Sequence, residues 1–443
     1  MNGQMQPGHG QQSGQQMNGQ MEQPGQPGLQ MGGPNGMQMN GMNGQMNGMG
    51  RPGMPGGNNG SSQGSYTAAN NLTEDVTSQS YSSTKSGENT ILVDGKTVSL
   101  TNVSVTKSGD SNGEDSDFYG YNAGVLANNG ASLSITGSDV VTDGAHANGV
   151  FSYGKNTSVD ISDSTITTTG NNSGGLMTTG GASLTADNVT ISTSGNSSAA
   201  IRSDRGGGTV NVTGSTGTTS GVGSPAVYST ADITVSGSTL SASNSEAVVI
   251  EGGNSVTIKN SNLTGNNATL NGQSTKATNV LIYQSMSGDA SEGSSEFTMS
   301  GGSLTAETGS MFHVTNVTTT ISLNGVALDY ADDSDVLLDI SADSWGQSGK
   351  NGGNATVNLT NQTAAGNISV DNSSSLKLNI ASGSSYTGAI NSSGSSGSVS
   401  VSLDSDATWT LTGDTYVDSF DGDLSNVNLA GHTLYVNGVA YNG

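Results

Sequence analysis

Leu133-Ser-Ile-Thr-Gly-Ser-Asp-Val140 returns 26 residues later as Val159-Asp-Ile-Ser-Asp-Ser-Thr-Ile166. Each stretch is an apolar-polar-apolar triplet, a small-residue step and another apolar residue five positions after the triplet ends. The same phrase occurs at Val98-Ser-Leu100 with Val105, at Leu184-Thr-Ala186 with Ile191, and at Val210-Asn-Val212 with Gly217, where the last apolar slot has decayed. It continues at Ile233-Thr-Val235 with Leu240, Val256-Thr-Ile258 with Leu263, Phe297-Thr-Met299 with Leu304, and Ile321-Ser-Leu323 with Leu328. Measured at the last triplet residue, successive copies lie 35, 26, 25, 26, 23, 23, 41 and 24 residues apart. A repeat of about two dozen residues is the mark of a stacked solenoid.

A third apolar segment precedes most triplets, as in Gly124-Val-Leu126, Gly149-Val-Phe151, Gly175-Leu-Met177, Ala200-Ile-Arg202, Ala226-Val-Tyr228 and Ala247-Val-Val249. Three short period-two strands per coil, punctuated by Gly, Ser, Asn and Asp, predict an all-β parallel β-helix. About ten to twelve coils are expected, and the hand of parallel crossovers makes the solenoid right-handed. No coil can bury its own apolar side chains, so each depends on its neighbours. The small Ala127, Ser152, Thr178, Ser203 and Ser229 at inward positions suit a narrow interior.

Residues 1–65 are a different material, holding 11 of the 15 Met and six of the seven Pro. They read as a disordered Met/Gln/Gly/Asn/Pro-rich spacer, since nothing in them offsets the entropy of folding. Clustered thioethers also fit a soft-metal site for Cu(I), a weaker reading than a linker. Residues 66–90 are expected to form an N-terminal cap, 91–403 the β-helix, and 404–443 a terminal coil with a capping hairpin. In that last segment Trp409 is expected to belong to the cap.

The chain has no Cys, so disulfide staples are absent. A net charge of −24, with only 11 Lys plus Arg, argues against nucleic acid and anionic lipid. The composition suits a soluble surface protein, monomeric and not inserted in a membrane. Because no export signal is visible at Met1, one is expected upstream.

The stretches Ser116-Asp-Phe-Tyr-Gly120, Ser203-Asp-Arg-Gly206, Tyr283-Gln-Ser-Met-Ser-Gly-Asp289, Trp345-Gly-Gln-Ser-Gly349 and Trp409-Thr-Leu-Thr-Gly-Asp-Thr-Tyr416 sit within this coil pattern. From about residue 88 to the C-terminus the chain resembles the right-handed β-helices of the pectin-lyase-like superfamily. It is most similar to the adhesin-like extracellular β-helix proteins of gut and anaerobic bacteria. The resemblance implies the fold and an extracellular or cell-surface location more firmly than any activity.

Function in a solenoid lies where the repeat is interrupted. The gap between first strand and triplet lengthens to 16 residues from Leu281 to Phe297 and to 20 from Leu337 to Val357. These insertions carry Tyr283, Asp289 and Glu292, and Trp345, Gln347 and Lys350. They leave one corner two rungs apart, about 10 Å, so a cleft between them would admit a sugar chain. Nearby, strand alternation places Arg202 outward in a column with Leu126, Phe151, Met177, Tyr228 and Val249. This strip, with Asp204 and Arg205, is either covered by a loop or offers rings and guanidinium groups to sugars and uronate carboxylates. The candidate ligand residues are therefore Phe151, Arg202, Asp204, Arg205, Tyr228, Tyr283, Asp289 and Trp345.

A further interruption supplies Asp110, Asn112, Glu114, Asp115 and Asp117 within eight residues. Its oxygen donors suit calcium, although a solvated acidic loop is the stronger reading. No cofactor beyond that ion is implied. The four His are isolated and read as structural or solvated. Non-catalytic binding of a polysaccharide, a host or plant glycan, is the leading function. A pectate-lyase-type enzyme using Arg202 or Arg205 with Asp204 and Glu251, and a structural component of wall or biofilm, are the alternatives. No outward carboxylate pair on adjacent rungs supports hydrolysis, and no catalytic residue is assigned.

Overall fold

The computed structural model describes residues 65–330, 335–394 and 396–441. The expectations for the spacer and its methionines lie outside the described residues. Within them the chain winds as a parallel β-helix. Twelve strands, from Ala68–Asn71 to Asn367–Val370, stack in parallel as one long sheet. The triplets and the strands after them build a second sheet of 22 strands, and a four-stranded sheet continues the last coils.

The triplets stack in register. Val98, Leu133, Val159, Leu184, Val210, Ile233, Val256, Phe297 and Ile321 are successive partners across rungs. All nine are buried in one continuous core, because alternate side chains of a strand fall on the same face. The decayed slot at Gly217 is filled by its neighbour: Leu240 Cδ2 lies 2.7 Å from where a glycine Cβ would stand. Two of the inward hydroxyls are satisfied locally, whereas Thr178 Oγ1 is buried without a partner among the described residues. Ser152 Oγ donates to Ser183 O at 2.9 Å, and Ser203 Oγ accepts from Thr230 N at 2.8 Å.

The small-residue step has its own physical cause. After each triplet the chain turns through a left-handed residue: Asn102, Gly137, Asp163, Asn188, Gly214, Gly237 and Asn260 all have φ near +50 to +60°. Gly, Asn and Asp enter that region at least cost. The following serine then links rungs. Ser138 Oγ accepts from Val103 N at 3.0 Å and donates to Thr136 O at 3.0 Å. Ser164 does the same for Ser138, Ser215 for Val189, Ser238 for Ser215, and Ser261 for Ser238. A second ladder runs at another corner, where Ser173, Ser198 and Ser224 donate to the carbonyls of Gly144, Gly170 and Gly195. There the glycines stack so closely that a Cβ on Gly170, Gly195 or Gly221 would collide with the glycine carbonyl of the preceding rung.

Residues 66–90 contribute strands to the stack: Val76 pairs with Leu100 and Tyr81 with Val105, so both occupy the apolar columns of the repeat. Their strands are short and less apolar, which disguises the period. At the other end the expected hairpin is present, Leu434–Val436 antiparallel to Val439–Tyr441. Trp409 is buried in the terminal coils, stacks on Tyr386 at 6.0 Å and donates Nε1–H to Gly388 O at 3.0 Å.

Gly195→Ala is expected to destabilise the protein by about 3 kcal/mol or more, because the colliding atoms are backbone on both sides. Gly237→Asn, at an open left-handed position with no atom within 4 Å of the added Cβ, should change stability by less than about 0.5 kcal/mol. Chemical denaturation of the two variants measures the contrast.

Candidate functional site

The outward strip of the first sheet is a single in-register column: Leu92, Leu126, Phe151, Met177, Arg202, Tyr228, Val249 and Leu281. All of these residues are buried. Three excursions cover them. The first contains a short helix, Asp115–Tyr119, whose Phe118 is buried. A side chain on Gly120 would touch Leu126 and Phe151, which fixes the strap directly over those two residues. Thr179 Oγ1 pins the strap by donating to Phe118 O at 2.6 Å. The second and third excursions are the two long insertions, and Trp345 of the third packs against Tyr283 at 6.3 Å.

Of the eight candidate ligand residues, Phe151, Arg202, Asp204, Tyr228 and Tyr283 are therefore buried beneath straps instead of facing a ligand, and Asp289 is buried within the second strap. A solvated column of Phe, Met and Tyr would leave large apolar area in water, and covering it removes that cost. The structure does bring the polar members together. Arg202 pairs with Asp204 at 3.0 Å. Arg205, 42% exposed at its side chain, stands 4.0 Å above the Phe118 ring and binds Asp289 at 2.5 Å, so one guanidinium joins the first strap to the second. Glu251 accepts from the hydroxyls of Tyr228, Tyr283 and Ser285. Burial pushes its carboxyl up, against those hydrogen bonds. Arg202, Asp204 and Glu251 are thus committed to the interior, with no open face for a substrate.

The oxygen donors of the 110–117 loop do not converge. Asp110 Oδ1 accepts from Ala145 N at 2.8 Å, whereas Asp117 turns inward to His146 Nδ1 at 2.8 Å and to Asn148 Nδ2 at 3.3 Å. Glu114 and Asp115 begin the strap helix. Among the described residues no three His, Asp or Glu side chains form a group that could hold a metal ion. His146 and His313 are structural. His313 is fully buried, with Nε2 3.3 Å from Asp343 Oδ2.

A groove of about 360 Å³ between the two long insertions is open to solvent. One wall presents Gln284, Met286 and Glu292, and the other Lys350, Gly352 and Asn354. Its floor is the tight turn Asn316-Val317-Thr318 of the intervening rung. The strands Thr278–Tyr283, Ser310–Thr315 and Val336–Ile340 are consecutive neighbours, so the walls stand two rungs apart. Asn316 ties both walls at the base. Its Nδ2 donates to Gln284 O at 2.8 Å, and its backbone N donates to Asn351 O at 3.0 Å.

Each wall is anchored from behind. Ser285 Oγ donates to the buried Glu251, and Ser287 Oγ donates to Ser285 Oγ at 2.6 Å. In the other wall Asn351 Nδ2 donates to Asp343 O and Trp345 O, each at 2.8 Å. Burial would raise the Asp343 carboxyl, but hydrogen bonds from His313, Ser274 and Thr275 hold it well below the usual carboxylate range. Glu292 and Lys350 were foreseeable from the lengthened gaps. Gln284, Met286 and Asn354 lie in the same gaps without having been singled out, and Asn316 and Thr318 were not foreseeable, since nothing in their local sequence marks them as a floor. No family model, curated protein or solved structure matches the chain.

Burial pushes the Asp204 carboxyl up to about 7, although Arg202 draws it down. The folded protein then keeps a proton that the unfolded chain releases. This group's contribution to stability therefore falls as pH rises from about 4 to about 7. Thermal unfolding between pH 5 and 8 should show wild type losing stability relative to Asp204→Asn as pH rises. Parallel profiles would show that the buried pair stays ionised throughout.

Proposed function

We propose that this protein is an adhesin-like β-helix of the pectin-lyase-like kind, displayed outside the cell, that binds polysaccharide in the inter-insertion groove without cleaving it. The single observation that carries this reading is the groove, an anchored, open-ended slot two rungs wide on an otherwise closely stacked scaffold. Its exposed lining fits a sugar chain. Met286 offers an apolar face to ring C–H groups, Asn354 and Thr318 offer amide and hydroxyl partners, and Lys350 and Glu292 offer charge on opposite walls. Rigid walls keep the entropic cost of ordering the site low. Burial of Arg202, Asp204 and Glu251 favours this reading over a lyase, because a base that removes a proton must reach its substrate.

A printed array of neutral and uronate-bearing oligosaccharides tests it with the full chain. We expect binding to a subset, weakened about tenfold by Lys350→Ala if a uronate is held there, since a charge-assisted hydrogen bond is lost. Lys377→Ala, on a rung beyond the groove, should bind as wild type does. Absence of binding to any glycan would overturn the proposal in favour of a purely structural component. Release of an unsaturated uronate product, seen by its ultraviolet absorbance, would favour the lyase.

A further inference from the structure

Met286 is the most exposed large apolar side chain among the described residues, at 69%. The other described methionines, Met177, Met299 and Met311, are all fully buried. Its position is imposed by its neighbours. Ser285 and Ser287 both turn inward to Glu251, and Gln284 Nε2 donates to Ser285 O at 3.0 Å. With Ser285 bonded to the buried carboxylate and Ser287 bonded to Ser285, the side chain between them is held outward at the groove rim. A large apolar group kept in water by a polar staple is better explained by what it meets there than by the fold.

We propose that Met286 is a reversible oxidation site that controls access to the groove. A peroxide transfers one oxygen to the thioether sulfur: the O–O bond breaks, sulfur loses two electrons, the peroxide is reduced, and water or an alcohol leaves. The product sulfoxide is polar and chiral in place of a flexible apolar surface. It carries a strong acceptor at the rim and no longer offers a face for ring C–H groups. A two-electron thiol-dependent reductase restores the thioether. Loss of binding on oxidation presupposes that the groove takes a glycan; selective oxidation does not.

The full chain is treated with dilute hydrogen peroxide and divided between peptide mapping by mass spectrometry and the oligosaccharide array. Sulfoxide should appear at Met286 while Met177, Met299 and Met311 stay unmodified. Binding to the glycans held by untreated protein should weaken about tenfold, the loss expected when a buried apolar contact becomes polar. Met286→Leu keeps an apolar group of similar size and every other methionine, including the eleven that precede residue 65. Whatever its binding before treatment, that binding should be unchanged by peroxide. Equal oxidation at the buried methionines, or equal loss of binding in wild type and Met286→Leu, overturns the proposal. If untreated protein binds no glycan, the groove reading fails, and the map alone decides whether Met286 is the modified site.

Discussion

Everything in this molecule depends on each rung borrowing its hydrogen-bond partners and its apolar contacts from the rungs beside it. A single coil of some two dozen residues has only short strands and no face it can bury alone. Parallel pairing satisfies the strand backbones, but the corners would leave N–H groups without partners. The serines after the left-handed turn residues close that gap. Each accepts from the rung before it while donating within its own coil. The closely stacked glycines at the other corner allow the serines there to reach the carbonyl of the rung before. The richness in Gly, Ser and Asn is therefore a requirement of the corners.

The same dependence explains why the outward strip of the first sheet had to be covered. Rungs in register turn a single apolar position into a continuous column, and here the column holds Leu, Phe, Met, Tyr and Val. Three excursions lie on it, the first two cross-linked by Arg205 between Phe118 and Asp289. Charges trapped underneath are paired or hydrogen-bonded, as buried ionic groups must be. The groove follows from the same layout. Two insertions emerge on either side of a rung whose own turn is short, and that rung becomes the floor.

Much of this was legible beforehand. The triplets predicted strands and register, because period-two alternation repeated at a nearly constant interval admits few other folds. Gap lengths located both walls of the groove, and the C-terminal run of aromatics located the cap. The strands within residues 66–90 are less legible because their columns carry Val76 and Tyr81 in strands of two and four residues. The exposure of the Phe151-Arg202-Tyr228 strip also stayed undecided. Strand alternation says which way a side chain leaves its own sheet, and nothing about what a distant segment lays over it.

The sequence by itself therefore determined the scaffold: the parallel coils, the inward columns, the left-handed turn residues and the places where the repeat breaks. These are local or nearest-neighbour properties, written once per coil. Only the tertiary structure decided that Arg202 and Asp204 are interior, that Asp117 meets His146, and that Asn316 joins two walls. Those outcomes depend on contacts between residues 29 to 84 positions apart, set by how loops of unequal length settle on a common face. No periodicity encodes them, because each occurs once.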